Sequence, residues 1–366
     1  MHVDDDLLGA VRDTARRFAA RDVAPMLAAE GRDGDLSKVP ELLARAASIG
    51  LIPAPGAGDT DPGAGIWARS AGPATDLISV ALVEEVAVAC AGFAACLHHA
   101  GLAARDLDQH PAGRAVAPAI ALFSPGWRPD WRAFLHPPDG AASLRDGRLN
   151  GRVGPVHAPP GCGAFIVYAS GPGGWERALV MRDAPGLAAT DPGPRTGLAA
   201  LDMVFLGFTD VGVAARHALG PATPLDYLRR LFLGLAAIAL GNARGALMAA
   251  ERYARERRQG GRAIDEHPAV RLLLGDARSR VAAAGAHLSA AAAPGPDAAW
   301  RAVAARLRVT AQCHSVVSDC LQVLGGYGYI EDYRLEKRLR DSLTLAGSAI
   351  DPNALRLMCA GAPDGT

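Results

Sequence analysis

The chain has 366 residues, which exceeds what one hydrophobic core usually serves, so two or three packed units are expected. Its composition, 50% hydrophobic and 21% charged, is ordinary for a globular protein. The formal net charge is zero, so neither nucleic acid nor an acidic membrane surface is favoured as a partner.

The cysteine pattern and the lengths of the apolar runs indicate the cellular compartment of the protein. The six cysteines show no CxxC spacing and lie mostly in apolar helical stretches, where a buried thiol is the ordinary interpretation and no metal site is predicted. No basic segment followed by an apolar one opens the chain. The longest apolar run, Leu231 to Gly241, is shorter than the ~18 residues that a membrane span needs. These patterns predict a cytoplasmic protein with reduced thiols and no membrane span.

Residues 1–114 are predicted to form an N-terminal helical domain. The segment "DDLLGAVRDTARRFAARDVAPMLA" carries apolar residues at helical spacing, and the Asp residues at its start suit the positive end of a helix dipole. Residues 75–104 continue as a long, mostly apolar helix pattern.

Residues 115–222 change character and are predicted to form a central antiparallel β domain. Short β-like runs are cut by turns, and "RDGRLNGRV" has the Asp-Gly and Asn-Gly pairs of tight hairpins. Helical periodicity returns over residues 223–366 and predicts a C-terminal four-helix bundle. The predicted fold class is therefore mainly α with a central antiparallel β domain.

Two segments of the C-terminal region place glycines where helices are expected. "ERYARERRQGG" (Glu251 to Gly261) ends a long helix with an Arg, a Gln and two glycines. "QVLGGYGYIEDYRLEKRLRD" (Gln322 to Asp341) has three glycines within four residues. Glycine destabilises a helix by roughly 1 kcal/mol relative to Ala. Bare backbone is therefore needed there, either for a sharp chain reversal or for a ligand close to the main chain.

Together with the order of helices, strands and helices, these segments resemble the acyl-CoA dehydrogenase family of flavoproteins. That family shows "YAxERxQFG", then "QxxGGxGY", then an Arg-Asp pair. The resemblance covers nearly the whole chain and includes "LNG" (Leu149 to Gly151) in the β domain. It implies the acyl-CoA dehydrogenase-like fold, FAD as the cofactor, and an oligomer in which FAD lies between subunits.

The resemblance assigns five residues to the pyrophosphate and adenosine end of a neighbouring subunit's FAD: Arg257, Gln259, Gln322, Gly325 and Gly326. A guanidinium pairs bidentately with phosphate oxygens, and glycine permits close approach. The alternative interpretation makes the glycines a helix–helix turn and the arginine a solvated charge.

Two further expectations accompany this assignment. Gly260 departs from the family pattern, which has Phe. The segment 241–258 and the helices after Val303 are expected to form the dimer face.

The motifs that hold the reactive end of FAD in the family are degenerate here. "FSPGWRPD" (Phe123 to Asp130) stands where the family has "TEPGAGSD". "LNGRVGPVHAP" stands where it has "LNGxKxWITN", so Pro155 replaces the Trp and His157 the Thr. Proline has no N–H to donate, and its ring cannot cover a flavin as an indole does. His157 is a candidate hydrogen-bond partner of flavin, with a loop histidine near a surface turn as the alternative.

The catalytic base of the family is a carboxylate, and no residue of this chain is assigned that role. Ala349 occupies the usual glutamate slot, and Leu231 occupies the slot used by members that carry the base on the long helix. Asp351 is the nearest substitute, but an Asp followed by Pro predicts a helix N-cap. The family's "LDxxR" pattern recurs about one turn early at Arg229, which is not assigned its substrate-positioning role.

Three functions remain open at this point. The favoured one is a base-less subunit that lends half of a FAD site to a catalytic acyl-CoA dehydrogenase-like chain. The second is a self-sufficient acyl-CoA dehydrogenase with an unrecognised base. The third is a biosynthetic flavoenzyme that oxygenates or oxidises a carrier-bound acyl group. All three imply an acyl thioester of CoA or a carrier protein, and a homo- or hetero-oligomer.

Overall fold

The computed structural model describes residues 5–28, 32–53, 67, 75–107, 120–121, 131, 137, 142–218 and 222–361. The helices within these ranges fall into an N-terminal and a C-terminal group, as the periodicity predicts. The N-terminal group is α1 (Asp5–Phe18), α2 (Ala24–Ala28), α3 (Val39–Ser48), α4 (Asp76–Ala89) and α5 (Ala91–Leu107). The C-terminal group is α6 (Ala222–Glu256), α7 (Pro268–Ala292), α8 (Ala298–Leu324), α9 (Leu335–Gly347) and α10 (Pro352–Ala360).

An eight-stranded sheet lies between the two helical groups in the chain. Its strands are β1 (Ile120–Ala121), β2 (Ser143–Arg145), β3 (Arg148–Ala158), β4 (Ala164–Gly171), β5 (Gly174–Met181), β6 (Leu187–Thr190), β7 (Asp202–Gly212) and β8 (Ala215–Ala218). The strand order is β6-β7-β3-β2-β4-β5-β8, and β1 also pairs with β4. A separate two-stranded hairpin is formed by β9 (Arg258–Gln259) and β10 (Arg262–Ala263).

The sheet is mixed, so the prediction of a purely antiparallel β domain is wrong for two strand pairs. β1 pairs with β4 in parallel, and β2 meets β4 in parallel at a single residue pair, Ser143 with Ser170. The remaining pairs are antiparallel. Two of them, β2–β3 and β4–β5, join consecutive strands through two-residue turns such as Asp146-Gly147. The predicted order of helices, sheet and helices is confirmed.

β4 is buried on both faces and joins the two hydrophobic cores. Successive side chains of a strand point to opposite faces. Ile166 and Tyr168 accordingly pack into the core shared with the helices, while Phe165 and Val167 pack into the core enclosed by the sheet. The Tyr168 ring lies 5.6 Å from the Tyr227 ring of α6. This strand therefore fixes the sheet against the long central helix.

α6 is the central helix of the molecule and packs against α4 and α5 through glycines. A Cβ atom at Gly241 would meet the Glu84 carbonyl oxygen and lie 2.6 Å from the Ala87 Cβ, and one at Gly245 would meet the Val88 carbonyl oxygen. A Cβ atom at Gly234 would meet the His98 ring. The three glycines let the helix backbones approach more closely than any larger residue allows.

Among the described residues, one helix segment, Leu225–Glu256, has the length and composition to cross a membrane. In its most apolar window, 89% of the residues are buried inside the fold. Burial of that kind is what the core helix of a globular protein shows.

We expect Gly241→Ala to lower the free energy of unfolding by about 1–3 kcal/mol, because the added methyl group overpacks the α4–α6 contact. Gly275→Ala is the matched control. Gly275 is an exposed glycine of α7 with open space around its Cβ position, so this change should instead stabilise by about 0.5–1 kcal/mol. Urea unfolding of both variants measures the difference, and equal effects would contradict the close-packing interpretation.

Candidate functional site

The five residues assigned to the adenosine end of FAD lie on the surface at the ends of two neighbouring helices. Arg257 directly follows α6, and Gln259 lies in the β9–β10 hairpin. Gln322 is in the last turn of α8, and Gly325 and Gly326 begin the short 3-10 helix that follows it. All five are exposed.

The two glycines after Gln259 make a tight hairpin turn. Gly260 and Gly261 have φ of 61° and 81°, and Gln259 pairs with Arg262 across them. A two-residue loop with both φ positive strongly favours glycine. This geometry explains why Gly260 stands where the resembling family has Phe. His267 closes the turn, because its Nε2 donates to the Gln259 carbonyl oxygen at 3.0 Å.

The two glycines after α8 differ in whether the backbone requires glycine. Gly325 ends the helix with φ of 57°, a conformation that side chains other than glycine rarely adopt. Gly326 has no such constraint, and a Cβ atom built on it meets no atom within 4 Å. Nothing in this chain therefore requires glycine at Gly326.

An aromatic cluster brings the two C-terminal motifs together. The Tyr327 ring lies 6.2 Å from the Tyr253 ring of α6 and 5.6 Å from the Tyr333 ring. The Arg257 guanidinium lies over the Tyr327 ring, 5.1 Å from its centroid. Large apolar side chains of the segment after α8 are exposed: Tyr327 (43%), Tyr329 (84%), Ile330 (44%) and Tyr333 (38%). We call this surface, together with the five predicted cofactor residues, the Arg257 surface.

A separate cavity of about 230 Å³ opens where β3, α5, α6 and the end of α9 meet. Its described lining residues are His99, Gly154, Pro155, Val156, His157, Met203, Leu231, Thr344, Gly347, Ser348 and Ala349. It therefore brings together four positions that the sequence analysis singled out from distant parts of the chain: Pro155, His157, Leu231 and Ala349. None of its described lining residues is an Asp or a Glu.

A break in β3 turns His157 toward the cavity. The pairing of β3 with β7 shifts register between Val153 and Val156, where Pro155 has no N–H to give to the ladder. Beyond the break Val156 packs into the core of the sheet, and His157 projects from the opposite face. Burial and the nearby Arg195 lower the pKa of His157 to about 4.

Leu231 and Ala349 approach the cavity from α6 and from the segment after α9. Leu231 is a buried residue of α6. Ala349 has a left-handed backbone with φ of 68°, directly after the end of α9. The buried Arg306 of α8 holds this segment, because its guanidinium donates to the carbonyl oxygens of Leu345 and Ser348.

His99 lines the cavity and was missed by the sequence analysis. Its ring centroid lies 5.8 Å from that of His157, edge to face, and 5.9 Å from that of His98. Both ring nitrogens of His99 are buried, and neither has a hydrogen-bond partner among the described residues. Burial, with repulsion from His157 and His98 as the lesser causes, holds the pKa of His99 well below its usual value. His99 is therefore neutral at pH 7.

His98, the neighbour of His99, hydrogen-bonds to the backbone of α6. Its Nε2 lies 3.3 Å from the Leu231 carbonyl oxygen and donates to it. Burial lowers the pKa of His98 to about 4. The cavity thus has two neutral imidazoles, those of His99 and His157, and no third one turned toward it among its described lining residues.

Asp351 caps a helix, as its sequence context predicts. Its Oδ1 accepts hydrogen bonds from the backbone N–H groups of Asn353 at 2.8 Å and Ala354 at 3.1 Å. The residue is exposed at the start of α10 and is not among the described residues that line the cavity. This geometry gives the carboxylate a structural role.

Arg229, the arginine of the early "LDxxR" pattern, is buried in an ion-pair cluster. Its guanidinium pairs with Asp76 and lies 2.9 Å from an Asp226 carboxylate oxygen, while Arg230 contacts Asp76 at 3.0 Å. Burial lowers the pKa of Arg229 to about 10. A side chain committed in this way is not free to position a substrate.

The segment Phe123 to Asp130 lies outside the described residues. Within the part of the chain that the structure describes, no group of three or more His, Cys, Asp or Glu side chains is arranged to hold a metal ion.

Residues 227–347 match the family model described as acyl-CoA dehydrogenase, C-terminal domain. The chain is 28% identical over 209 residues to a caffeyl-CoA reductase-Etf complex subunit of Acetobacterium woodii, covering 53% of this chain and 54% of that one. Several other curated relatives are likewise matched over about half their length. A cyclohexane-1-carbonyl-CoA dehydrogenase of Syntrophus aciditrophicus is 27% identical over 92% of this chain and 91% of its own.

The fold matches a solved structure over the whole chain. A glutaryl-CoA dehydrogenase from Mycobacterium smegmatis in complex with FADH2 has a TM-score of 0.80 at 17% identity, covering 100% of this chain and 96% of that one. The resemblance and the fold class predicted from the sequence are confirmed by these matches.

We expect Asp351→Ala to lower the free energy of unfolding by about 1 kcal/mol through loss of the helix cap. Asp351→Asn should stay within a few tenths of wild type, because Asn caps helices about as well as Asp. Urea unfolding distinguishes the two. Equal destabilisation by both changes would mean that the negative charge, and not the cap, is what matters.

We also expect stability to fall as the pH drops from 6.5 toward 4. His98, His99 and His157 have folded-state pKa values below their unfolded ones, so the unfolded chain binds more protons in this range. His99→Gln removes one of these groups and should reduce the slope below pH 6 by about 1.4 kcal/mol per pH unit.

Urea unfolding at pH 7, 6, 5.5 and 5 measures this slope. Met203→Leu, a change of a cavity residue that does not titrate, is the control and should leave the slope unchanged. An unaltered slope in His99→Gln would mean that His99 takes up its proton in the folded state as readily as in the unfolded one.

Proposed function

We propose that this chain, which resembles the acyl-CoA dehydrogenases over nearly its full length, is a FAD-dependent oxidoreductase subunit without its own catalytic base. In this proposal the Arg257 surface completes the FAD site of a neighbouring, base-bearing acyl-CoA dehydrogenase-like chain. That neighbour carries out α,β-dehydrogenation of an acyl thioester.

The observation that carries the proposal is the lining of the cavity. The cavity is lined by Pro155 and His157, which stand at the family's flavin-ring segment. It is also lined by the residues at both slots where family members carry a catalytic base. Leu231 and Ala349 occupy those two slots, and neither can accept a proton. A carboxylate near the reacting carbon is needed to remove a weakly acidic proton α to a thioester carbonyl. Among the described residues that line the cavity, none carries a carboxylate that could do so.

The Arg257 surface fits the phosphate and adenosine portions of FAD. Arg257 presents a guanidinium that suits phosphate oxygens, and the Tyr327 ring beneath it fixes its position. No described contact or backbone angle requires glycine at Gly326, yet its backbone is bare at the surface. Bare backbone is expected where a ligand or a partner approaches closely. FAD, when bound, supplies the hydride acceptor.

The exposed aromatic and apolar side chains around this surface support a subunit interface. Tyr329 is 84% exposed and Ile330 44%, and large exposed apolar side chains near a binding surface are typical of protein–protein contacts. One similar protein is by name a subunit of an Etf complex, which also supports an interface.

A second candidate function is supported by the cavity itself. A cavity of about 230 Å³ has survived although both base slots are empty of carboxylates, and a subunit that only lent half a site would have no use for it. In this alternative the chain binds its own flavin and acts on an acyl thioester by a reaction that needs no carboxylate base. Oxygenation or oxidation of a carrier-bound acyl group is such a reaction class.

We expect Arg257→Ala to weaken FAD binding about tenfold to a hundredfold in a complex with a base-bearing partner, because a charged hydrogen bond of roughly 1.5–3 kcal/mol is lost. The complex is obtained by co-expression with the glutamate-bearing acyl-CoA dehydrogenase-like chains of the same genome. FAD affinity is measured by titration of the apo complex. Arg255→Ala, which removes a 62% exposed arginine two residues earlier, is the matched control and should change the affinity less than threefold.

The chain purified alone decides between the two candidates. The base-less subunit does not retain one FAD per chain without its partner, whereas the second candidate binds one FAD per chain on its own. A self-sufficient acyl-CoA dehydrogenase would in addition bleach that FAD when an acyl thioester is added. Bleaching by the lone chain would overturn the proposal. Equal FAD affinity of the Arg257→Ala and Arg255→Ala complexes would overturn the assignment of the Arg257 surface.

A further inference from the structure

The polar groups that line the cavity differ in whether they are already paired. The Thr344 hydroxyl donates to the Arg340 carbonyl oxygen at 3.1 Å, and the Ser348 hydroxyl donates to the Thr344 carbonyl oxygen at 2.7 Å. His99 has neither ring nitrogen paired and is only 5% exposed. Among the described lining residues, His99 is therefore the one whose buried ring nitrogens are left unpaired.

An unpaired buried imidazole is costly. A buried donor or acceptor left without a partner destabilises the fold, and such groups in folded proteins are usually satisfied by the protein, by water or by a ligand. His99 cannot relieve this cost by taking up a proton, because burial and the facing rings of His157 and His98 disfavour its cationic form. What it offers at neutral pH is one N–H donor and one nitrogen acceptor.

The surroundings of His99 limit what can pair with it. The His98 ring is turned to the Leu231 carbonyl oxygen, and His157 contacts His99 edge to face without a hydrogen bond. The other described lining side chains are apolar, or are hydroxyls that already donate. The partner must therefore enter from the cavity and carry a group that donates or accepts a hydrogen bond. An uncharged group is favoured, because the described lining offers no countercharge.

The size of the cavity limits the partner further. Its volume of about 230 Å³ lies below the ~300–1,000 Å³ of sites that take drug-sized ligands. That volume suits a short acyl group.

We propose that His99 is a specificity-determining residue, which makes this cavity select a short acyl group bearing a neutral hydroxyl or carbonyl over a saturated alkyl group. The inference rests on the second candidate function in one respect, that this chain's own cavity takes an acyl thioester. A site that hydrogen-bonds a substrate hydroxyl rejects the analogue lacking it, because the protein group is then left unpaired in a closed space. His157, across from His99, offers a second neutral imidazole to the same group.

The test compares two probes that differ by one hydroxyl group. The N-acetylcysteamine thioesters of 3-hydroxybutyrate and of butyrate are titrated onto the purified chain at pH 7.5 by calorimetry. We expect the hydroxylated probe to bind at least tenfold more tightly. In histidine-selective NMR spectra, the His99 ring resonances should shift with the hydroxylated probe and much less with butyryl.

Two variants separate a direct role from a structural one. His99→Leu should bring the two affinities to within about twofold of each other, with a thermal melt to check that the variant is folded. His287→Gln, which changes a histidine of α7 that does not line the cavity, should retain the tenfold preference. If His99→Leu fails to fold, the NMR shifts of wild-type His99 decide alone.

Three results would overturn the inference. Equal binding of both probes to the wild type would mean that water alone satisfies His99. Tighter binding of the succinyl thioester, which ends in a carboxylate, would mean that the cavity selects a charged group. Absence of binding by either probe would mean that the cavity takes no acyl thioester.

These failures are distinct from failure of the proposed function. The proposed function is tested by FAD affinity at the Arg257 surface, which shares no residue with the cavity. A chain that passes the FAD test but binds both probes equally loses this inference alone.

Discussion

The structure depends on the close approach of α6 to α4 and α5. Gly234, Gly241 and Gly245 present bare backbone to His98, Glu84 and Val88, so the helices lie nearer to one another than side chains would permit. This approach sets the position of His98 against Leu231 and, one residue further along α5, of His99 against the cavity. The apolar packing of the long helix and the geometry of the candidate site thus have the same cause.

The sheet and α9 complete the cavity through a buried carboxylate. Asp341 of α9 accepts a hydrogen bond from the Leu198 backbone N–H at 2.7 Å and pairs with Lys337 at 2.7 Å. Both charged groups are almost fully buried, and breaking such a pair by removing one partner is strongly destabilising. The contact fixes the end of α9, and hence Ala349, relative to the strands that carry His157. The cavity is therefore formed by three units of the fold, none of which contains it alone.

Much of the fold and part of the site could be predicted from sequence, because both leave local signals. Apolar periodicity gave the helices, and the Asp-Pro step gave the cap at Asp351, since a cap depends on the next three residues alone. The Gly260–Gly261 hairpin also has a local signal, a glycine pair between short segments, which the helix–helix alternative overlooked. The parallel pairing of β1 with β4 has none, because it joins residues 46 apart. His99 lay in a long apolar helix pattern, where its lack of a partner is decided by α6, β3 and α9 together.

The segment that carries Ala349 has a consequence for how this protein can change over evolutionary time. Its backbone is held from both sides, by Arg306 donating to the carbonyl oxygens of Leu345 and Ser348 and by the Asp351 cap of α10. The Ala349 side chain takes no part in either contact and is exposed at the cavity. Selection can therefore alter the chemistry at this position by single substitutions while the loop keeps its shape. A single substitution at position 349 can therefore add or remove a proton acceptor while the fold around the cavity is retained.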